Sequence, residues 1–252
     1  MSKLATYARL QFAIALIAFG VQHIIRQRFT IGESSSWPAL IPGGIVWAYL
    51  SGVFVILTGT MVMLNKNASP FLMVTGLMIF VWAFVRDLPA FFMHPAYDAS
   101  LTRLGEALAM TGSVFIVANE LANQKKSLIY KLMPLGPVFL GVFLFICGTQ
   151  HFTLAKYVKT LVPSWIPGNL YWTYFAGAAL IAGGIGLMWA KSRRLAAFWS
   201  GLMIFIWMLI IHAPRVIHSI NDADEWNSLL QTIALSAALF VLAFSKRNQV
   251  IN

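Results

Sequence analysis

The sequence predicts an all-α membrane protein: eight transmembrane helices as two tandem parallel four-helix repeats. Three observations lead there. Charged residues make up 10% of the 252 positions and hydrophobic ones 59%, where a soluble domain carries about 25% charged residues. The apolar residues form eight continuous blocks, each near the ~20 residues of helix that cross a hydrocarbon core of ~30 Å. The second half also repeats motifs of the first at a nearly fixed spacing.

The blocks fall at about 7–25, 43–64, 70–90, 101–119, 132–151, 169–190, 195–215 and 226–244. They are continuously apolar, which favours helices over barrel strands, whose residues alternate apolar and polar over ~10 positions. The first block follows Lys3 and Arg9 closely, as the core of a secretory signal would. No small-residue cleavage pattern follows it. Gln22-His23-Ile24-Ile25-Arg26 comes instead, and Gln-His returns later, so the block is expected to remain as the first span. The single cysteine, Cys147, excludes an intramolecular disulfide or dithiol relay and reads as a small hydrophobe.

The repeat defines the domains. Ile41-Pro42-Gly43, Trp47, Tyr49, Gly52 and Gly59 return 125 positions on as Ile166-Pro167-Gly168, Trp172, Tyr174, Gly177 and Gly184. Gly76-Leu77-Met78-Ile79-Phe80 with Trp82 and Pro89 returns as Gly201-Leu202-Met203-Ile204-Phe205 with Trp207 and Pro214. Gln22-His23 and Gln150-His151 are 128 apart, so the loop after the first helix of the second unit is three residues shorter. Residues 1–122 form the first four-helix unit, 123–131 a basic linker and 132–252 the second unit. Four is even, so both units cross in the same sense about an axis along the membrane normal.

The formal charge of +10 suits nucleic acid or an anionic membrane surface; its distribution selects the lipid bilayer as partner, with no nucleic acid. Lys3, Arg9, Lys66, Lys125, Lys126, Lys131, Lys191, Arg193, Arg194, Lys246 and Arg247 lie on one side. The other side holds Arg26, Arg28, Arg86, Arg103, Lys156, Lys159 and Arg215 with the acids Glu33, Asp87, Asp98, Glu106, Asp222, Asp224 and Glu225. By the positive-inside rule both termini and the 123–131 linker are cytoplasmic.

Several repeated residues read as architecture. Gly52/Gly59 and Gly177/Gly184 lie seven apart on one helix face, where small residues let helices approach. The Ile-Pro-Gly segments turn the chain into a helix start. Trp37, Trp47, Tyr49, Trp165, Trp172 and Tyr174 form an aromatic belt at one boundary. Phe152 to Val162 has helical apolar spacing with its lysines to one side, as a short segment lying along the interface would.

Chemistry, if any, belongs to the ionisable residues, which are costly in a span and usually face a bundle interior or wet cavity. They gather at the outer helix ends: Gln22, His23, Arg26, Arg86, Asp87, Arg103 and Glu106 in the first unit, Gln150, His151, His212, Arg215 and His218 in the second. Glu106 lies about a turn and a half into its helix, roughly 7–9 Å along the axis, and Arg103 shares its face. A buried ion pair fixing helix packing and a binding or proton-handling role both fit this pair. The matching positions in the second unit hold Gln231 for Glu106 and His212 for Asp87, which argues against a symmetric acid-base mechanism. His212 and His218 are six apart rather than three or four, so no metal site is assigned. A haem held by His23 and His151 would need them to meet across the axis, and interfacial histidines satisfied by water or headgroups account for them better. No residue is assigned a catalytic role.

The four-helix unit, with Gln-His ending its first helix, Trp165-Ile166-Pro167-Gly168 before its second and Gly-Leu-Met-Ile-Phe in its third, resembles the DoxX-like membrane proteins in a duplicated, double-length form. That resemblance implies a bacterial cytoplasmic (inner) membrane protein near quinone or redox chemistry. Members are associated with thiosulfate:quinone oxidoreduction, methylamine dehydrogenase maturation and thiol or oxidative-stress systems, and share no single reaction. With one cysteine, a thiol-disulfide role would require a redox partner protein to supply the dithiol. Two function classes follow. One is a quinone- or redox-associated subunit, with His151, His212, Arg215 and Glu106 at a ligand or proton path. The other is a non-catalytic small-molecule binder or transporter, or a membrane assembly factor. The nearly charge-free inner halves of the helices weigh against an ion channel or pump.

The charge asymmetry makes a topological prediction. Reporter fusions after residues 67 and 126 should give cytoplasmic signals and fusions after 98 and 223 periplasmic ones; a periplasmic signal at 126, between the two halves, overturns the arrangement.

Overall fold

The structure is a computed structural model, describing residues 2–31, 43–93, 98–122 and 128–245. It is all-helical, and among the described residues eight helices are long and apolar enough to cross a membrane. They comprise α1 (Lys3–Arg26), α2 (Gly44–Leu64), α3 (Ala68–Met93), α4 (Asp98–Leu121), α5 (Gly136–Thr153), α7 (Asn169–Met188), an α8–α9 span and α10 (Ala223–Phe244). A short α6 (Ala155–Val158) lies between α5 and α7, and the seventh span runs through α8 (Arg193–Trp207), a π-helical turn at Met208–His212 and α9 (Ala213–His218). Trp37, Ile41, Pro42, Glu33, residues 123–127 of the linker, Lys246 and Arg247 lie outside the described residues.

The helix ends follow local chemistry. Ser2 caps α1 by accepting from the Ala5 amide at 3.1 Å, and Asp222 caps α10 through Asp224 N at 2.9 Å. α1 and α2 stop at Gln27 and Asn65 in the left-handed region, φ 54° and 55°. Gly43 and Gly168 enter α2 and α7 at φ 81° and 74°, conformations that a side chain disfavours. Each then accepts from a tryptophan amide four residues on, Trp47 or Trp172, at 3.1 Å.

Two spans differ from uniform helices. The fifth begins as a 3-10 segment over Leu128–Leu135 before Pro137 opens α5. The seventh loosens to a π turn before Pro214, because proline has no N–H to offer the carbonyl four residues back. The amphipathic segment between α5 and α7 is helical as expected, α6 continuing in a 3-10 turn over Lys159–Leu161.

Packing is by close backbone approach. A Cβ built on Gly20 of α1 would lie 2.5 Å from the Gly52 carbonyl oxygen of α2, and one on Gly59 would lie 2.9 Å from Ala13 O. α5 and α7 meet likewise: from Gly148 to Gly177 O is 2.8 Å, from Gly184 to Gly141 O 2.5 Å. α4 crosses α5 at Gly112 and Gly136, where the corresponding distances are 2.6 and 2.7 Å. α3 packs on α4, α8 on α10, and α10 on both α1 and α4, so the two ends of the chain meet. Of the apolar stretches of α4 and α10, 67% is buried, against 28% of α7 and 22% of the α8–α9 span. α4 and α10 therefore stand at the centre, with Phe12, Leu16, Phe19, Met110, Phe115, Leu140 and Leu144 filling the core around them.

One end of the bundle satisfies helix C-terminal carbonyls with basic side chains. Arg9 donates to Val62 O at 2.8 Å, Arg193 to Leu187 O at 2.9 Å and Arg194 to Ala243 O at 3.0 and 3.1 Å, while Ser69 reaches Ala118 O at 3.0 Å. Carbonyls in the last turn of a helix lack much of their intrahelical bonding, and a cation there also complements the helix dipole.

Because the α1–α2 and α5–α7 crossings have no room for a Cβ, Gly20→Ala and Gly148→Ala should each cost about 1–3 kcal/mol through overpacking. Thermal unfolding of the detergent-solubilised protein reads this as a lowered midpoint. Unchanged midpoints in both variants would mean that the helices do not cross there.

Candidate functional site

The opposite end of the bundle is built differently: its polar side chains turn inward and bond to one another. In α1, His23 is fully buried and its Nδ1 lies 3.2 Å from Ser51 Oγ of α2. Ser51 spends its hydroxyl proton on Ala48 O at 3.0 Å, so it accepts from the imidazole. His23 is thus the Nδ1–H tautomer, and its buried Nε2 is an acceptor with no hydrogen-bond partner among the described residues. Phe29 stacks obliquely on His23 at 4.5 Å and on Trp82 of α3 at 5.1 Å. The Arg86 guanidinium lies 5.7 Å from the Trp82 ring centre, within cation–π range.

Arg86 and Asp87 form the buried ion pair. Neighbours in a helix do not normally face each other, yet Arg86 folds back and donates Nε to Oδ1 at 2.8 Å and Nη2 to Oδ2 at 3.1 Å. The two side chains are 4% and 1% exposed, so the pair stands in a low dielectric and has bidentate geometry. Arg103 of α4 is within electrostatic reach of Asp87 and donates to Ser100 Oγ at 3.4 Å. Arg103 thus lies near α3, and Glu106 is half-buried within electrostatic reach of Cys147 on α5.

A second group forms where α4, α5 and α8 meet. Gln150 exchanges hydrogen bonds with Thr102, Oγ1 to Oε1 at 3.2 Å and Nε2 to Oγ1 at 2.9 Å. His151 donates Nδ1–H to Cys147 O at 2.7 Å, and its half-buried ring stacks on Trp207 at 6.2 Å and 14°. His212 ends the π turn beside Arg215, half-buried, with an Nδ1 that has no partner among the described residues. Arg215 is half-buried and His218 exposed. Gln22 ties the layer to α10, donating to Ala223 O at 3.0 Å, and Arg26 reaches Asn221 O at 3.0 Å. The exposed Arg28–Asp224 pair at 3.7 Å adds little at such a site.

The candidates therefore separate. Glu106, Gln150 and His151 come together across α4 and α5, with His212 and Arg215 following Trp207 on the next span; His23, Arg86, Asp87 and Arg103 form the other group; His218 joins neither core. Among the described residues no group of three or more His, Cys, Asp or Glu is placed to hold a metal ion. Reasoning from sequence did not pick out Phe29, Ser51 or Thr102. Phe29 had one available signal: it stands six residues after His23, as Tyr157 does after His151.

A family model described as Domain of unknown function (DUF8561) matches residues 140–247, from within α5 to just beyond α10. No curated protein and no solved structure matches the chain.

The Arg86–Asp87 pair generates a test. Asp87→Asn leaves a buried guanidinium without its counter-charge and should cost about 3–5 kcal/mol, whereas Arg86→Met with Asp87→Leu should be close to neutral. Chemical denaturation of the three proteins checks the ordering; equal stability of Asp87→Asn and the parent would show that the pair is solvated.

Proposed function

We propose that this chain is a multi-pass bacterial inner-membrane protein, DoxX-like in double-length form, with two same-sense four-helix halves and cytoplasmic termini. In this reading the polar layer at its outer end binds a small polar or quinone-like ligand in a redox-associated assembly. The observation that carries the ligand reading is the contrast between the two ends. At one end basic side chains are used up on helix carbonyls, while at the other His23, Asp87, Glu106, Gln150, His151 and His212 turn into the bundle. Charged and imidazole groups at one depth of an otherwise apolar interior are costly and face cavities or pathways.

The two-unit reading draws support from paired contacts at equivalent positions. Gly20 with Gly52 corresponds to Gly148 with Gly177, and Ala13 with Gly59 to Gly141 with Gly184. Ser245 donates to Glu120 across a separation of 125 residues, the repeat length itself, as two residues beside a pseudo-twofold axis would. The matched span 140–247 is close to one such unit. The function read here is binding and orientation. With a single cysteine, a thiol-disulfide role would need a partner protein to supply the dithiol.

Substituting His212 and Arg215 separately by Gln should reduce quinone-analogue binding about tenfold or more without moving the unfolding midpoint. Isothermal titration in nanodiscs together with a melt separates the outcomes. Retained affinity, or loss of stability alone, would make these residues helix anchors at the headgroup layer.

A further inference from the structure

The turn between α7 and α8 concentrates positive charge that the fold does not require. Lys191, Arg193 and Arg194 crowd this turn, at the end of the bundle where basic side chains meet helix carbonyls. The turn between α2 and α3 shows what the fold needs there. Val62 O and Ala118 O have counterparts 125 positions on in Leu187 O and Ala243 O, and all four accept from side chains. Ser69 serves Ala118 O with a neutral hydroxyl, while at the same offset Arg194 serves Ala243 O with a guanidinium. The carbonyl is satisfied either way, so the cation at Arg194 answers to something else. Lys66 matches Lys191, but Ala68 and Ser69 stand where Arg193 and Arg194 do.

The carbonyls take the inner donors of these arginines but not their charge. Arg193 commits Nε to Leu187 O at 2.9 Å and Nη2 to Met188 O at 3.5 Å, and Arg194 commits Nε and Nη2 to Ala243 O. Both side chains are half-buried and Lys191 is exposed. Among the described residues none of the three is in an ion pair: Arg28–Asp224 and Arg86–Asp87 belong to the opposite end, and Glu120 at this end accepts from Ser245. Like charges at neighbouring positions repel, and an anion held between them removes that cost. Ser192 Oγ ties the turn to Gly186 O at 3.0 Å, so the cations are positioned before any ligand arrives. Beside them the surface is apolar. Leu195, Trp199 and Ile206 are exposed at helical spacing along one face of α8, and Trp189 is exposed at the turn itself.

We infer that the α7–α8 turn binds an anionic phospholipid, its phosphate held by Lys191, Arg193 and Arg194 and its acyl chains laid along the face of Leu195, Trp199 and Ile206. Charge complementarity selects a headgroup of net negative charge over a zwitterionic one, whose ammonium group these cations repel. Tryptophan suits the boundary between headgroups and chains. The apolar strip beside the cations favours a lipid over free phosphate, which would leave that strip unused. The inference needs the spans to lie in a bilayer and is independent of any ligand at the outer polar layer.

The test titrates the full chain in detergent, at constant ionic strength, with dioleoylphosphatidylglycerol, dioleoylphosphatidylcholine and soluble glycerophosphate, and reads occupancy by native mass spectrometry. Phosphatidylglycerol should form a saturable one-to-one adduct about tenfold tighter than phosphatidylcholine, and glycerophosphate at equal concentration should not displace it. Lys191→Gln, whose parent side chain makes no hydrogen bond among the described residues, should weaken phosphatidylglycerol about fivefold. Arg194→Ser, which keeps a neutral donor as Ser69 does, should do the same, and neither should alter phosphatidylcholine. Lys66→Gln, in the corresponding turn of the first half, should leave every affinity unchanged. Equal affinity of the parent for the two lipids overturns the inference, as does undiminished phosphatidylglycerol binding by Lys191→Gln, which decides alone if Arg194→Ser does not fold. An equal loss in Lys66→Gln overturns it by making the preference a property of the whole basic surface, and displacement by glycerophosphate overturns it by making the turn a free-phosphate site.

Discussion

Lipid gives apolar helices no reason to prefer each other over the solvent, so a membrane bundle is held by how closely its backbones approach. Here that approach is set by glycines that leave no space for a Cβ: Gly20 on Gly52, Gly148 on Gly177, and Gly112 on Gly136. The first two clamp α1 to α2 and α5 to α7. The third fixes α4 against α5. Everything at the polar end inherits its geometry from these crossings. Thr102 reaches Gln150, and Glu106 comes near Cys147, because α4 and α5 are already locked two to three turns further along.

The two ends of the bundle solve one electrostatic problem in opposite ways. Helix C-termini expose carbonyls that need donors. At one end Arg9, Arg193 and Arg194 supply them, a use that occupies basic side chains without leaving charge in the interior. At the other end polar side chains instead bond to one another and to the carbonyls of the segment before α10 and its first residue. Arg86 and Asp87 are the most costly case, since desolvating two charges is offset only when the pair is close and bidentate. The positions 125 residues further on hold Ile211 and His212 instead. The polar groups thus diverge, one built around the bidentate Arg86–Asp87 pair and the other retaining the half-buried imidazoles of His151 and His212.

Much of the fold was legible in the residues because lipid imposes strict rules. Continuous apolar blocks of ~20 residues admit few alternatives to a helix, and the spans fell within a few residues of their structural ends. The left-handed glycines at Gly43 and Gly168 were readable from Ile-Pro-Gly, and the amphipathic stretch after Phe152 from its spacing. The partnerships within the polar layer were not. Spacing along one helix could not show that Arg103 lies within electrostatic reach of Asp87 on another. The π turn before Pro214 was hidden because proline marks a missing hydrogen bond without saying how the helix absorbs it. Phe29 follows α1, and only the fold brings it between His23 of α1 and Trp82 of α3.

The central claim is that the polar layer holds a small molecule rather than merely anchoring helices to headgroups, and native mass spectrometry of the protein released directly from its membrane addresses it without a chosen probe. The account predicts a bound species of small-molecule mass at one equivalent per chain, lost when His151 and Arg215 are replaced together and retained when Arg9, at the opposite end, is replaced by Gln. A spectrum containing only phospholipid adducts, unchanged between those variants, would contradict it.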